Sequence, residues 1–271
     1  TGRKAQADRS KDVGIMNPYF INEPAVITFS GGRSSSYMLY QVLKAHKFCL
    51  PEYVQIIFCN TGKEMPQTLD FVRDCQKHWK VDITWLEYSG KKQFKVVDHA
   101  TASRKGEPFA QLIKDKKFLP NMMARFCTSE LKVLTISRYL GTGDYVRLIG
   151  IRADEPRRVA KMRAKEDHYM PMADAGVSES DIREFWANQP FDLAMPKAGV
   201  NTLSNCDLCF LKGYKIKQSI VEHSPSLATW WAEQEQVIGS RFRFDQPSYG
   251  QMQLIATDQG QLFDFADESI A

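Results

Sequence analysis

Three short apolar runs, each punctuated by a turn and two of them followed by a helical pattern, constrain this chain more than any other feature. Ala25-Val26-Ile27-Thr28-Phe29 meets Ser30-Gly31-Gly32, after which Tyr37, Leu39, Tyr40, Leu43 and His46 predict a helix. Tyr53 to Cys59 then reads as a strand, Asn60-Thr61-Gly62 as a turn, and Pro66 to Trp79 as a helix with proline in its first turn. A third strand follows at Val81 to Tyr88, then a Lys-rich stretch of weak periodicity from Lys91 to Pro120. A helix from Thr128 to Leu140 and a strand from Tyr145 to Ile151 complete the pattern. Strands alternating with helices predict an α/β fold, a Rossmann-like, mainly parallel sheet with helices on both faces.

Beyond Ile151 the pattern loosens into an Arg-rich loop, an acidic-capped helix near Ser178 to Ala187, a cysteine pair and an aromatic C-terminal region. The expected organisation is a flexible polar arm at 1–14, a nucleotide-binding α/β domain at 15–160, and a small, mostly helical appendage at 161–271.

Composition narrows the function classes only a little. Of 271 residues, 43% are hydrophobic, enough for a substantial core, and a net charge of +4 permits contact with phosphates or nucleic acid without requiring it. Six cysteines at uneven spacings, with no apolar leader in view, favour reduced thiols or metal ligands and a cytoplasmic location over a secreted disulfide framework. No apolar run approaches the length of a membrane span.

In an open parallel sheet, ligands settle outside the carboxyl ends of the strands, where a Gly-rich turn feeding a helix offers free N–H groups and the positive end of a dipole. Ser30 to Ser36 stands at such a place. Gly31 and Gly32 let the backbone approach an anion, Ser30, Ser34, Ser35 and Ser36 carry hydroxyl donors, and Arg33 adds charge. An ordinary Ser/Gly turn with a capping serine is the alternative. The spacing lacks the Gly-Lys-Ser/Thr ending of a Walker loop, which disfavours kinase or GTPase chemistry.

Ser30-Gly31-Gly32-Arg33-Ser34-Ser35 resembles the SGGxDS signature of the PP-loop ATP pyrophosphatases, and its surroundings resemble their phosphoadenylyl-sulfate reductase branch. Four further segments share the resemblance. They are Asn60-Thr61-Gly62-Lys63-Glu64 with Thr68-Leu69, Arg125-Phe126-Cys127-Thr128 with Leu131-Lys132, Gly150 to Glu155 with Arg157-Arg158, and Asn205 to Cys209. The resemblance implies cleavage of ATP between its α and β phosphates, so that an adenylylated oxygen is displaced by sulfur or nitrogen. It places Ser30, Gly31, Gly32, Ser34 and Ser35 on pyrophosphate, and Thr61, Gly62 and Glu64 near the nucleotide. Ser34 departs from the pattern, since many active members carry an acidic residue there; Asp154 or Glu155 is the alternative carboxylate for Mg²⁺.

Arg152, Arg157 and Arg158 follow a strand directly and offer planar donor forks for phosphate, with Asp154 and Glu155 to hold them; a surface charge cluster is the alternative. Arg125 and Lys132 are further candidates to neutralise phosphate, against a solvated helix face. Arg152, Asp154, Arg157 and Lys132 form the expected catalytic set.

Cys206-Asp207-Leu208-Cys209 has the spacing of two metal ligands, and the resemblance brings Cys127 towards the same cleft as a third. An iron-sulfur cluster of the 4Fe-4S type with an open iron is the first expectation. Zinc, with His168 or His223 as fourth ligand, is the second, and an inert or reversible dithiol the third. Cys49, Cys59 and Cys75 read as core residues. Trp230, Trp231, Phe242, Phe244 and Tyr249 alternate with Arg241 and Arg243, a mixture that suits either base stacking or a small core.

Three functions follow. The first is an ATP pyrophosphatase in sulfur transfer, with a nucleic-acid acceptor and a cysteine desulfurase as donor by analogy with tRNA thiolation and DNA phosphorothioation enzymes. The second is a sulfonucleotide reductase, disfavoured by the lack of a cysteine after Cys209 and by the retained loop glycines. The third is a nucleotide-sensing module without catalysis.

Overall fold

The structure is a computed structural model that describes residues 17–194 and 206–268, with side chains described through Asp258. The expected arm at 1–14 and Asn205 of the cysteine motif lie outside the described residues.

Six strands form one sheet: β1 (Ala25–Phe29), β2 (Val54–Asn60), β3 (Thr84–Gly90), β4 (Gln93–Val97), β5 (Val146–Ile149) and β6 (His168–Tyr169), in the spatial order β4-β3-β2-β1-β5-β6. All neighbours are parallel except the β3–β4 hairpin. The helices are α1 (Arg33–Ala45), α2 (Pro66–Trp79), α3 (Glu107–Lys116), α4 (Phe126–Thr128), α5 (Thr135–Leu140), α6 (Pro156–Arg163), α7 (Pro171–Asp174), α8 (Glu179–Ala187), α9 (Tyr214–His223), α10 (Leu227–Ile238) and α11 (Tyr249–Glu268). A π-helical stretch, Ser129–Leu134, joins α4 to α5 without a break.

Period-two alternation decides which face each strand residue serves. Ala25, Ile27, Phe29, Ile56, Phe58 and Trp85 pack with α1, α2 and Trp186 of α8 on one side. Val26, Ile57, Cys59 and Leu86 meet Ile136 of α5 on the other. The expected Rossmann-like layering is therefore present, and the sheet runs on to β6, whose Tyr169 stands opposite Leu148. A separate apolar cluster joins Phe109 and Leu112 of α3 to Trp231 of α10, Tyr249 of α11 and Phe242 in the connection between them.

Several boundaries differ from expectation for physical reasons. The Lys-rich stretch holds β4 and α3, because pairing with β3 and burial of Phe109, Leu112 and Ile113 supply what its weak periodicity does not advertise. Phe244 stays exposed while Trp231, Phe242 and Tyr249 are core. Cys49, expected in the core, is exposed just beyond the end of α1, whereas Cys59 and Cys75 are buried.

Candidate nucleotide and thiol site

The strand order reverses at β1, whose two neighbours are β2 and β5, so a crevice opens beyond the carboxyl ends of these strands. The Ser30–Ser36 loop lies there. Gly31 takes φ +71°, and a Cβ on it would stand 2.9 Å from both Thr68 Cγ2 and Val72 Cγ2, so close packing against α2 and a left-handed backbone both require glycine. Ser35 Oγ accepts from the Ser30 N–H at 3.2 Å and lies 2.9 Å from Ser30 Oγ, tying the loop to the first turn of α1. No side chain caps that turn, which leaves its N–H groups for an anion. The end of β5 presses close from the other side, since a Cβ on Gly150 would sit 3.0 Å from Ser35 Cα.

A cleft of about 270 Å³ opens here, lined by Ser30, Ser35, Thr128, Lys132, Arg147, Gly150, Arg158 and His168 together with Ile57, Val133 and Ile136. Its lining includes three cations and no carboxylate. The cations and hydroxyls in the lining suit phosphates, and the apolar side chains suit a base. A cleft of about 310 Å³ lined by Pro51, Val54, Val81 and Thr84 opens instead at the amino ends of β2 and β3, away from the loop.

Of the predicted residues, Ser30, Ser35, Lys132 and Arg158 line the cleft, and Arg152 reaches Ser34 Oγ at 3.5 Å. Arg33 turns away: its Nε donates to Asp192 at 2.8 Å, and its carbonyl accepts from the Trp186 indole. Asp154 is exposed, bound by Arg152 Nε at 2.8 Å and by the Glu179 N–H at 3.0 Å. Glu155 is engaged by Arg158 and by the Arg152 N–H. Neither carboxylate is among the residues lining the cleft. Arg157 is exposed on α6 and is not among them either.

The second loop, Asn60 to Glu64, is buried throughout. Gly62 takes φ +77° where a Cβ would strike Pro108 Cδ at 2.9 Å. Glu64 Oε2 accepts from the Thr61 N–H at 2.9 Å and from the Thr61 hydroxyl at 2.8 Å, and Thr61 Oγ1 lies 3.3 Å from Cys206 Sγ. Lys132 Nζ stands 3.9 Å from the other Glu64 oxygen. Burial works to lower the Lys132 ammonium, but Glu64 and the Cys206, Cys59 and Cys127 thiols around it outweigh that and hold it above its ordinary value. Lys132 thus belongs to both the cleft and the thiol pocket.

Cys127, Cys206 and Cys209 share the C-terminal apolar cluster. Burial pushes all three thiols upward, Cys206 most, with the Glu64 carboxylate adding to the effect. Arg125, exposed just before α4, acts in the opposite direction on Cys209. Among the described residues, no three His, Cys, Asp or Glu side chains are arranged to hold a metal ion. His168 sits in the nucleotide cleft and His223 is exposed at the end of α9, so neither completes a zinc set. All three cysteines pack in the apolar cluster and Cys206 lies against Thr61 Oγ1, so the described arrangement does not present them together to one ion.

The motif reading missed the elements that hold the two loops together. Lys63 pairs with Asp207 at 2.8 Å, both buried, and the Asp207 N–H donates to the Lys63 carbonyl at 2.7 Å. Asn60 donates to the fully buried Glu87 at 2.6 Å. An acid in the cysteine turn facing a lysine in the Thr-Gly turn was the available signal.

Residues 24–170 match the phosphoadenosine phosphosulfate reductase domain. The chain belongs to that family, the reductase-like branch of the PP-loop ATP pyrophosphatase-like superfamily, whose members bind nucleotides such as ATP or phosphoadenylyl sulfate and are generally enzymes. It is 34% identical over 200 residues to an uncharacterized nin region protein of Escherichia phage lambda, an alignment covering 69% of this chain and 66% of that one. It is 27% identical over 161 residues to an uncharacterized protein of Methanocaldococcus jannaschii, covering 58% of this chain and 29% of that one. The chain therefore spans just under two thirds of the first relative's length and less than a third of the second's. Among the described residues, no helix is long and apolar enough to cross a membrane.

Proposed function

We propose that this protein is an ATP pyrophosphatase that adenylylates an acceptor oxygen, which a sulfur nucleophile then displaces with loss of AMP. The observation that carries this reading is the Ser30–Ser36 loop, uncapped at the N-terminus of α1 and facing a cleft with Lys132, Arg147 and Arg158 but no carboxylate. In the first step the acceptor oxygen attacks the α phosphorus, the α–β bridge breaks, and pyrophosphate leaves into the loop. The loop's N–H groups, the Ser30 and Ser35 hydroxyls and the cations take up the charge that develops on the leaving group. Mg²⁺ accompanies the nucleotide on its own phosphate oxygens and water. Lys132, which lines the cleft, also interacts with Glu64 and the Cys206 thiol, and Thr61 lies against Cys206; that proximity supports a thiol as the sulfur nucleophile.

The same neighbouring thiols favour a second reading, a sulfonucleotide reductase. There a thiolate attacks the sulfonyl sulfur, an S–S bond forms, the S–O bond breaks, and the nucleotide leaves as its phosphate. Incubation with ATP labelled in the α phosphate separates the two: AMP and pyrophosphate in equal amounts support the first reading. A sulfonate adduct on the protein after exposure to phosphoadenylyl sulfate, with no AMP from ATP, supports the second. ADP as the product rules out both.

A further inference from the structure

Helix α6 is built against the usual logic of a surface helix. None of its residues is fully buried, and only Val159 and Met162 are half-buried against the protein, so packing accounts for little of it. Arg157 and Arg158 lie in its first turn, where the macrodipole disfavours cations, and Arg157 and Lys161 repel one another at the i, i+4 spacing. The ten residues 156–165 contain Arg157, Arg158, Lys161, Arg163 and Lys165 and no acid, a charge of +5 against +4 for the whole chain, so the remainder sums to −1. Local rules broken without a packing gain mark a functional surface.

The partners of these cations divide them into two groups. Arg158 is held by Glu155 and Arg163 by Asp174 at 2.6 Å; of the two acids that follow the run, Asp167 is engaged by Arg147 and His168, and Glu166 is exposed. Arg157, Lys161 and Lys165 form ion pairs with no carboxylate among the described residues and are all exposed. Arg157 and Lys161 share a face of α6, one step advancing about 6 Å along the axis, and Lys165 follows in the bend after the last turn. The run is flanked by Arg158 and His168, which both line the cleft.

We infer that α6 binds the phosphodiester backbone of a nucleic acid and guides it to the cleft, so that the acceptor adenylylated there belongs to a nucleic acid. This rests on the nucleotide-activating reading above and names its acceptor class. A row of cations several ångströms apart meets successive phosphates better than a single small anion. An anionic membrane is a poorer match, because α6 presents no apolar face to enter one; Val159 and Met162 are half-buried against the protein.

The test is the anisotropy of fluorescein-labelled single-stranded and duplex DNA, and of RNA of the same sequence, titrated with the intact protein between about 50 and 200 mM salt. The expected result is binding that weakens steeply with salt. Lys161→Glu with Lys165→Glu should weaken it roughly tenfold or more, and should reduce the slope of log K against log salt by about 2. Both residues are exposed, and the thermal midpoint should not move. Affinity for a non-hydrolysable ATP analogue, measured on the same samples, should also be unchanged in the double variant. No oligonucleotide binding at low salt, an unaltered slope in the variant, or stronger binding to phosphatidylglycerol vesicles than to any oligonucleotide overturns the inference. A protein that binds oligonucleotides through α6 but fails to bind the ATP analogue keeps the surface and loses the nucleotide-activating reading instead.

Discussion

Lys63 and Asp207 form a buried ion pair at 2.8 Å across 144 residues of sequence, and it clamps the Thr-Gly loop after β2 to the turn between Cys206 and Cys209. Asp207 also accepts from the Trp231 indole at 2.8 Å and from the Leu208 N–H at 2.6 Å, so one carboxylate organises three elements. Removing one partner leaves a buried charge without compensation, at a cost of about 3–5 kcal/mol. Asp207→Ala should therefore lower the denaturant midpoint sharply, while Lys63→Met with Asp207→Leu should recover much of the loss. Equal loss in the single and double variants would assign the clamp no electrostatic role.

The two loop glycines are not equivalent. Gly31→Ala forces a side chain into φ +71° and onto Thr68 and Val72, whereas a Cβ on Gly32 meets nothing nearer than Ser30 Oγ at 3.7 Å. Gly31→Ala should destabilise the fold by about 1–3 kcal/mol and abolish binding of an ATP analogue. Gly32→Ala should fold normally, and Gly32→Asp should fold yet lose the nucleotide by repulsion of the phosphates. Calorimetric titration of the three variants checks this; full ATP-analogue affinity in Gly32→Asp removes the loop from the site.

Local patterns carried the nucleotide half of the molecule into view and long-range partners hid the rest. The β1-loop-α1 unit and the helix Pro66–Trp79 were legible because apolar period, turn residues and the proline at the start of the second helix agree within a few residues. The pairing of Arg33 was hidden because the carboxylate that captures it, Asp192, lies 159 residues away. Arg157 and Arg158 are indistinguishable in sequence and both exposed, yet a rotation of about 100° around the helix brings only Arg158 to the edge of the cleft. The cysteine spacing was visible, but whether three thiols point at one ion depends on their packing against Thr61 and the aromatic core, which spacing does not encode.

The thiols should separate cleanly by reactivity. Cys49 is exposed, Cys59 is buried with its thiol pushed up to about 12, and burial raises Cys75 strongly as well. At pH 8 a disulfide reagent should label Cys49 first, in a phase that Cys49→Ser eliminates. Cys127, partly exposed, should follow more slowly, and Cys59, Cys75 and Cys206 should react only on unfolding. Labelling of Cys206 at the rate of Cys49 would show that the thiol pocket opens to solvent in the folded state.

Lys217 makes stability depend on pH in a direction opposite to a salt-bridged lysine. Its side chain is fully buried over the Tyr249 ring, 5.0 Å from the centroid, and among the described residues its ammonium has no hydrogen-bond partner. Burial, reinforced by Arg243, lowers its pKa to about 8, below the value of about 10.4 in an unfolded chain. Between these values the unfolded state binds more protons than the folded one, so this residue's contribution to stability rises as pH increases from about 8 to about 10.4. Below pH 8 the folded protein carries the full cost of the buried charge. Lys217→Met, which keeps the volume and removes the charge, should raise the thermal midpoint at pH 7 and flatten the alkaline rise. A lower midpoint in Lys217→Met at pH 7 would instead mean that the ammonium over Tyr249 stabilises the C-terminal helices through its contact with the ring.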